Sequence, residues 1–359
     1  MLATAAALVV AVGSGVRQEL VLPAPTGPFR IGVIGRTWED ARRADSLDSP
    51  TGLRRVHALI WYPARESDAA PAEYVEGLSP AAGELAATYA RVRPHARKAA
   101  PLAERIGRAP ILILAPGRIA AASDYTALAE DLASHGYVVV GVNSPGHSKI
   151  FRPDGTLEPV RFGPMPPSSY PDGFDALQEP MNALVGEDLR FALAQVDSLD
   201  RSDPMLGGHL ALDSIGMMGH SNGAMAGSRA CAAEPRCKAF LGIEGSQTRE
   251  IRLGGNDKPF GLVYGEETLS FDTQGVFTRM REHARAPFTL YRVAGAGHNS
   301  FTDLYLVRPS LFSYDMTAVR GMEVTRAIVR AFFARHLRGN VAADSLLPGL
   351  AEVEAERVR

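Results

Sequence analysis

The sequence predicts an α/β fold in which helices cover both faces of a mostly parallel central sheet. Short continuous apolar runs, such as ILIL at 111–114 and YVVVGV at 137–142, are typical of strands buried on both faces. These runs alternate with segments that have the apolar spacing of amphipathic helices. Such alternation favours parallel strands joined by helical crossovers.

The predicted elements follow one another in this alternating order. The early strand RVHALIWY is expected to end at Pro63, because proline cannot donate a hydrogen bond to a neighbouring strand. Ser123 is the expected N-cap of the first helix and Gly136 its end. The predicted strands span residues 55–62, 111–114, 137–142, 215–218, 239–243, 260–264 and 288–293. The predicted helices span residues 124–134, 181–199, 222–232 and 319–337.

Residues 21–340 are predicted to form one domain, followed by a C-terminal tail over 341–359. Two long segments interrupt its rhythm. Residues 65–108 are rich in Ala, Glu and Arg and are predicted to be helical, whereas residues 150–180 are rich in Pro and Gly. Long insertions of this kind often form lids or substrate walls, and surface padding is the alternative interpretation.

Composition and charge exclude several classes of protein. The chain has 359 residues, of which 46% are apolar and 22% charged, as in ordinary globular domains. Its net charge of −2 provides no field that would gather nucleic acid, so no nucleic-acid partner is expected. The two cysteines, Cys231 and Cys237, are too few for a Cys-rich zinc site. They form either one disulfide across a short loop or two buried thiols, and both interpretations stay open.

The start of the chain is its most membrane-like stretch. Residues 1–12 are apolar, but a helix that spans a bilayer needs about 20 such residues. The segment also lacks the positive charge with which secretory signal peptides begin. Residues 1–20 are therefore either part of an export or membrane-proximal segment, which we favour and which implies a location outside the cytoplasm, or an unstructured leader. Peripheral contact with a lipid surface and the oligomeric state are left open.

The sequence GHSNG at residues 219–223 has the pattern G-x-S-x-G of a nucleophile elbow. The pattern lies where the apolar strand IGMM leads directly into the helical segment NGAMAGSRACAA, which is the strand–turn–helix context that the elbow requires. The turn lifts the serine hydroxyl above the sheet, and the amides of the following helix favour a developing negative charge. Ser221 is therefore the predicted nucleophile.

A serine hydroxyl needs a base, and His298 is the best of nine histidines. It follows the last predicted strand in a glycine-rich loop and stands 77 residues after Ser221. That position agrees with the order serine, acid, histidine. The side chain of His220 is expected to point away from its neighbour Ser221, and a packed or solvated imidazole is the interpretation for it and the other histidines.

The acid is expected between Ser221 and His298, at the carboxyl end of a strand. Glu244 ends one predicted strand, and Glu266 and Glu267 follow the next. Asp257 and Asp272 are weaker candidates, because neither directly ends a strand.

An oxyanion hole needs two backbone N–H groups. One is expected from Asn222 and the other from Arg118, in a loop that Gly117 allows to turn inward.

These segments together resemble the bacterial branch of the platelet-activating factor acetylhydrolase (isoform II type) serine esterases, within the α/β-hydrolase superfamily. The resemblance covers nearly the whole chain. It rests on ILILAPG, on LAEDLASHGYVVVGVNSPGH, on the elbow IGMMGHSNGA, and on GAGHNSFTDL around the histidine.

The resemblance implies an α/β-hydrolase fold, no metal and no cofactor. It also implies a serine carboxylester hydrolase that acts through an acyl-enzyme on short-chain acyl esters, including PAF-like or oxidised phospholipids. The family carries its acid at the position of Glu244, more often as Asp. Related polyester-degrading and dienelactone-hydrolase-like enzymes place it near Glu266 and Glu267. An esterase of those types, an inactive hydrolase-fold binding protein and an acyltransferase are the alternatives.

Overall fold

A ten-stranded sheet forms the centre of the chain in the computed structural model, which describes residues 19–44, 52–151, 156–160, 172–245, 247–266, 275–347 and 350–358. The strands are β1 Leu20–Val21, β2 Arg30–Ala44, β3 Leu53–Ala64, β4 Val92–Arg93, β5 Arg97–Lys98, β6 Ala109–Ala115, β7 Val138–Asn143, β8 Leu210–His220, β9 Cys237–Ile243, β10 Phe260–Gly265, β11 Phe288–Val293 and β12 Val353–Val358. The helices are α1 Gly83–Tyr89, α2 Thr126–Ser134, α3 Asp172–Ser202, α4 Asn222–Ala233, α5 Arg249–Gly254, α6 Val276–His283, α7 Asp303–Val307 and α8 Ala318–Arg338.

The order of strands across the large sheet is β12-β11-β10-β9-β8-β6-β7-β3-β2-β5. Strands β6 to β11 are parallel to their neighbours among themselves, whereas β3 and β12 pair antiparallel with β7 and β11. From β6 the chain passes to β7 on one side and then returns to β8 on the other. Such a reversal opens a crevice at the carboxyl ends of the strands, where open α/β sheets bind ligands.

Helices bury both faces of the sheet, as predicted. The buried strand β6 demonstrates this, because Ile111 and Ile113 belong to one apolar cluster and Leu112 and Leu114 to the other. Residues of α3 and α4 join the first cluster, and residues of α2 and α8 join the second. A strand covered on both faces needs apolar side chains at every position, which explains its continuous apolar run.

Outside residues 65–108, the predicted strands and helices correspond to observed elements, although β3 continues through Pro63 to Ala64 instead of ending at the proline. The predicted α/β class is confirmed. The predicted N-cap is wrong. Ser123 lies inside a 3-10 turn over Ala122–Tyr125 that precedes α2. Within that turn, the carboxylate of Asp124 accepts the backbone amide of Ala121, the residue that precedes the turn. Gly136 does follow the end of α2, with a φ of 87°.

The insertion 65–108 is mostly not helical, contrary to the prediction. Within it α1 has seven residues and follows a short 3-10 turn, while β4 pairs with β1 and β5 with β2. Prolines explain the difference, because each removes an amide donor and crowds the preceding helical turn. They stand at positions 71, 80, 94 and 101.

The segment predicted as a C-terminal tail contributes to the sheet. Strand β12 pairs antiparallel with all six residues of β11, from Phe288 opposite Val358 to Val293 opposite Val353. Of the predicted leader, residues 1–18 lie outside the described residues, and Leu20 pairs with Val92 of β4. Of the insertion 150–180, residues 152–155 and 161–171 lie outside them, and α3 already begins at Asp172.

Cys231 and Cys237 form a disulfide that joins the last turn of α4 to the first residue of β9. Of the two interpretations that the sequence left open, the structure therefore has the disulfide. Throughout the described ranges, the helices lack the combination of length and hydrophobicity that a membrane crossing requires.

Candidate active site

Ser221 occupies the sharp turn between β8 and α4. Its backbone has φ 54° and ψ −125°, a conformation that L-residues rarely adopt and that costs on the order of 1–3 kcal/mol. The turn is tight, since a Cβ on Gly219 would lie 2.2 Å from the Gly223 carbonyl oxygen, and one on Gly223 2.3 Å from that of Ala115. Glycine at both positions therefore permits the predicted elbow.

Hydrogen bonds of the backbone hold this turn. The amide of Ser221 donates to the Ile243 carbonyl at 2.8 Å, and its carbonyl accepts the amide of Ala224 at 3.0 Å. Asn222 is the first residue of α4, where backbone N–H groups have no acceptor within the helix. The positive end of the helix dipole therefore lies beside Ser221.

Glu244 and His298 meet beside this elbow. Nδ1 of His298 lies 3.3 Å from Oε2 of Glu244, whose side chain is fully buried, whereas 40% of the His298 side chain is exposed. The other oxygen, Oε1, accepts the backbone amide of Gly265. Glu244 also has a positive φ of 52° at the end of β9. The backbone thus fixes one carboxylate oxygen and directs the other at the imidazole.

The segment that contains Glu244 packs directly against the segment that contains Ser221. A Cβ on Gly245, next to Glu244, would lie 2.2 Å from the carbonyl oxygen of Ser221. The ring of His220, next to Ser221, lies 4.7 Å from the ring of His298 between centroids. The structure therefore brings the segments of all three predicted residues together at the carboxyl ends of β8, β9 and β11.

The other candidate acids are placed differently. Glu266 follows β10 and its side chain is exposed, and its amide donates to the Ala296 carbonyl. The carboxylate of Asp257 is exposed and pairs with Arg285, which lowers the pKa of Asp257. Glu267 and Asp272 lie outside the described residues. Among the candidates that the structure describes, Glu244 is the one in contact with His298.

The loop after β6, residues 116–118 (the β6 loop), lies against the elbow. A Cβ on Gly117 would lie 3.2 Å from Cβ of Ser221, so this close approach favours glycine. The backbone amides on both sides of Arg118 are hydrogen-bonded. The amide of Gly117 donates to Oη of Tyr125, and the amide of Ile119 donates to the carbonyl of His147. Burial lowers the pKa of the half-buried Arg118. The backbone at Arg118 is thus held close to Ser221 by contacts on either side.

His220 and Tyr125 lie at the centre of this site, although no motif in the sequence indicated a role for either of them. Oη of Tyr125 lies 2.9 Å from Nδ1 of His220, and Nε2 of His220 lies 2.9 Å from the His298 carbonyl oxygen. Its position next to the predicted nucleophile was the sequence feature that could have indicated a role for His220. Its partners lie 95 and 78 residues away, and no local pattern reveals such contacts.

No group of three or more His, Cys, Asp or Glu residues in the described part of the chain is placed to hold a metal ion.

Comparisons with known proteins agree with this architecture. Residues 14–152 match the family described as platelet-activating factor acetylhydrolase, isoform II. The chain is also similar to the solved structure of a ferulic acid esterase from Streptomyces cinnamoneus, with 25% sequence identity and a TM-score of 0.78. That similarity covers 95% of this chain and 100% of the other. A search of curated proteins finds no match.

Proposed function

This chain is a carboxylic ester hydrolase with the α/β-hydrolase fold, and from that premise we propose that Ser221, His298 and Glu244 are its catalytic triad. The observation that carries the proposal is the contact of 3.3 Å between His298 and the buried carboxylate of Glu244, beside the strained turn at Ser221. A buried carboxylate on Nδ1 holds the imidazole in the tautomer whose Nε2 accepts a proton.

The proposed reaction proceeds through an acyl-enzyme. Oγ of Ser221 attacks the ester carbonyl while Nε2 of His298 takes the hydroxyl proton. Glu244 stabilises the resulting imidazolium, and the fully buried position of its side chain strengthens that attraction. His298 then protonates the departing alcohol. Water attacks the acyl-enzyme by the same steps, releasing the acid and restoring Ser221.

The negative oxygen of each tetrahedral intermediate needs donors that are already oriented. We propose the backbone N–H groups of Arg118 and Asn222. The first lies between two engaged amides of the β6 loop, and the second lies at the start of α4. Donors fixed by their surroundings cost no reorganisation during the reaction, which is why such sites lower the barrier.

The proposed substrates are short-chain acyl esters, including phospholipids with a short or oxidised acyl chain. The match of residues 14–152 to the acetylhydrolase family supports this choice. Esters of ferulic acid are a second candidate, because the similar structure that covers 95% of this chain is a ferulic acid esterase. Both substrate classes would use the same triad and differ in the pocket that holds the acyl group.

Hydrolysis of p-nitrophenyl acetate and labelling by a fluorophosphonate probe test the proposed nucleophile. We expect the wild-type protein to turn over the ester and to be labelled at Ser221, and Ser221→Ala to do neither. Wild-type turnover in Ser221→Ala would exclude the proposed nucleophile. A wild-type protein that is neither active nor labelled would instead be a binding protein with a hydrolase fold.

A panel of substrates separates the candidate classes. It contains p-nitrophenyl esters of increasing acyl length, a phospholipid with an acetyl group at sn-2, methyl ferulate and a polyester film. We expect the largest kcat/KM on short acyl chains. A preference for methyl ferulate would favour the second candidate, and product analysis with an added alcohol acceptor would reveal acyl transfer.

A further inference from the structure

One chain of hydrogen bonds runs through the buried side chains of Tyr125 and His220. The amide of Gly117 donates to Oη of Tyr125 at 3.0 Å, and that oxygen lies 2.9 Å from Nδ1 of His220. At the other end, Nε2 of His220 lies 2.9 Å from the carbonyl oxygen of His298. The chain thus joins the β6 loop to the backbone of His298 through the residue next to Ser221.

The partners fix the direction of each bond. A carbonyl oxygen only accepts, so Nε2 of His220 carries the hydrogen and donates to His298. Nδ1 of the neutral ring is then an acceptor, and it takes the hydroxyl hydrogen of Tyr125. The oxygen of Tyr125 in turn accepts the amide of Gly117. One tautomer and one hydroxyl orientation therefore satisfy all three contacts.

Burial keeps both side chains in these neutral forms. It lowers the pKa of His220 to about 3 and raises the pKa of Tyr125. The exposed fraction is 1% for Tyr125 and 4% for His220. A hydrogen bond lost at such a depth is costly, because water does not readily replace the missing partner.

We propose that Tyr125 and His220 are positioning residues, which hold the β6 loop and His298 in fixed positions relative to Ser221. This inference rests on the proposed function, because it assigns the β6 loop to the oxyanion hole and His298 to the base. Arg118, the proposed oxyanion donor, directly follows the Gly117 amide that the chain of bonds holds. The two side chains thus act on the oxyanion donor and the base through the backbone.

Such a role predicts a loss of kcat rather than of substrate affinity, because oriented donors act mainly on the transition state. Tyr125→Phe removes the hydroxyl and keeps the ring. Loss of one direct oxyanion donor lowers kcat by about 10²–10³-fold, and we expect an indirect loss of about 10–100-fold. KM for p-nitrophenyl acetate should change by less than about 3-fold.

Tyr62→Phe is the matched control. Tyr62 is also fully buried, and its hydroxyl donates to the Ala100 carbonyl at 2.7 Å in a different part of the fold. Both variants lose one buried hydroxyl, so thermal unfolding should reveal a similar loss of stability. We expect only Tyr125→Phe to lose kcat. Equal kcat losses in the two variants would overturn the proposal.

Two substitutions of His220 distinguish the hydrogen bond to Tyr125 from the hydrogen bond to His298. In His220→Asn the side-chain oxygen can replace Nδ1 as the acceptor for Tyr125, but nothing reaches His298. In His220→Gln the side-chain amide can replace Nε2 as the donor to His298, but the acceptor for Tyr125 is lost. Because His220→Gln already breaks that contact, adding Tyr125→Phe should lower kcat by less than about 3-fold more.

If the loss of kcat in the double variant equalled the product of the losses in the two single variants, a single connected chain of hydrogen bonds would be contradicted. Where Tyr125→Phe does not fold, the two variants at 220 carry the same test, and unchanged kcat in both would overturn the proposal. Failure of the proposed function is distinguishable, since the wild-type protein would then neither hydrolyse the ester nor be labelled at Ser221. Wild-type activity together with equal behaviour of Tyr125→Phe and Tyr62→Phe would reject this inference alone.

Discussion

Glu244 meets Nδ1 of His298 at 3.3 Å with one carboxylate oxygen, while the backbone amide of Gly265 occupies the other. In Glu244→Gln the side-chain oxygen should keep the amide of Gly265, so the NH₂ group would face the imidazole. A donor at that position stabilises the tautomer of His298 in which Nε2 carries the hydrogen, so the ring could not accept the proton that the proposed mechanism requires. The two contacts therefore make this substitution a sharp test of the proposed acid.

We expect Glu244→Gln to lower kcat on p-nitrophenyl acetate by about 10⁴-fold, the scale seen when a triad acid becomes an amide. Glu266→Gln is the control, because that exposed side chain follows the next strand. It should retain activity within about 3-fold of the wild type. The reverse order of the two losses would move the acid to β10.

Because His147 is buried, we expect the free energy of unfolding to decrease as the solution becomes acidic. Burial, with Arg118 and Arg54 nearby, lowers the pKa of His147 from 6.5 to about 3. Between those values the unfolded chain binds a proton that the folded chain does not, so this contribution to stability is complete above pH 6.5 and decreases as the pH falls toward 3. At pH 5 the loss is about 2 kcal/mol. Urea unfolding at pH 5 and 7 should show a smaller difference for His147→Gln than for the wild type, whereas equal differences would contradict it.

Asp303 predicts the opposite dependence. Burial, together with Asp124 and Glu130, raises its pKa well above 3.8, although its oxygens accept the amide of Ala127. The folded chain thus retains a proton that the unfolded chain releases, so this contribution is complete below pH 3.8 and is lost as the pH rises. Asp303→Asn can keep the amide contact without that proton.

We expect Asp303→Asn to gain stability relative to the wild type between pH 5 and 8, measured by urea unfolding. Asp213→Asn, at an exposed carboxylate, should show no such trend. A variant at position 303 that loses stability relative to the wild type as the pH rises would contradict a protonated Asp303.

The disulfide closes a short loop between α4 and β9. In the chain-entropy account, a crosslink over a sequence separation of 6 stabilises the fold by about 2 kcal/mol. The double variant Cys231→Ala, Cys237→Ala should therefore unfold at lower urea concentration, and dithiothreitol should destabilise the wild type but not the variant. Equal stability without reductant would contradict a structural role.

Local pattern predicted the elements that the sheet buries on both faces. The run FTLYRV predicts β11 with the observed bounds, because every position but one is buried. Prolines, which the Ala-, Glu- and Arg-rich composition of 65–108 obscured, explain the mostly irregular chain there. The run VEAERV did not predict β12, because an edge strand with exposed faces needs no apolar pattern.

Each predicted site residue was identified from a short motif that surrounds it in the sequence. Ser221 was predicted from five residues and His298 from a glycine-rich loop after a strand. The choice between Glu244 and Glu266 depends on which carboxylate reaches Nδ1 of His298, and only the packed sheet reveals it. For the same reason, the hydrogen-bond partners of Tyr125 and His220 could not be predicted from the sequence.

Strand β12 also affects how molecules meet in solution. An uncovered β11 would offer a row of unpaired amides and carbonyls on which the strand of another molecule could add. Instead the outermost strand carries Glu354 and Glu356, and Glu356 pairs with Arg281 and Arg292. Charged side chains on an edge discourage strand addition. The fold therefore has a built-in protection against aggregation at the margin nearest to β11.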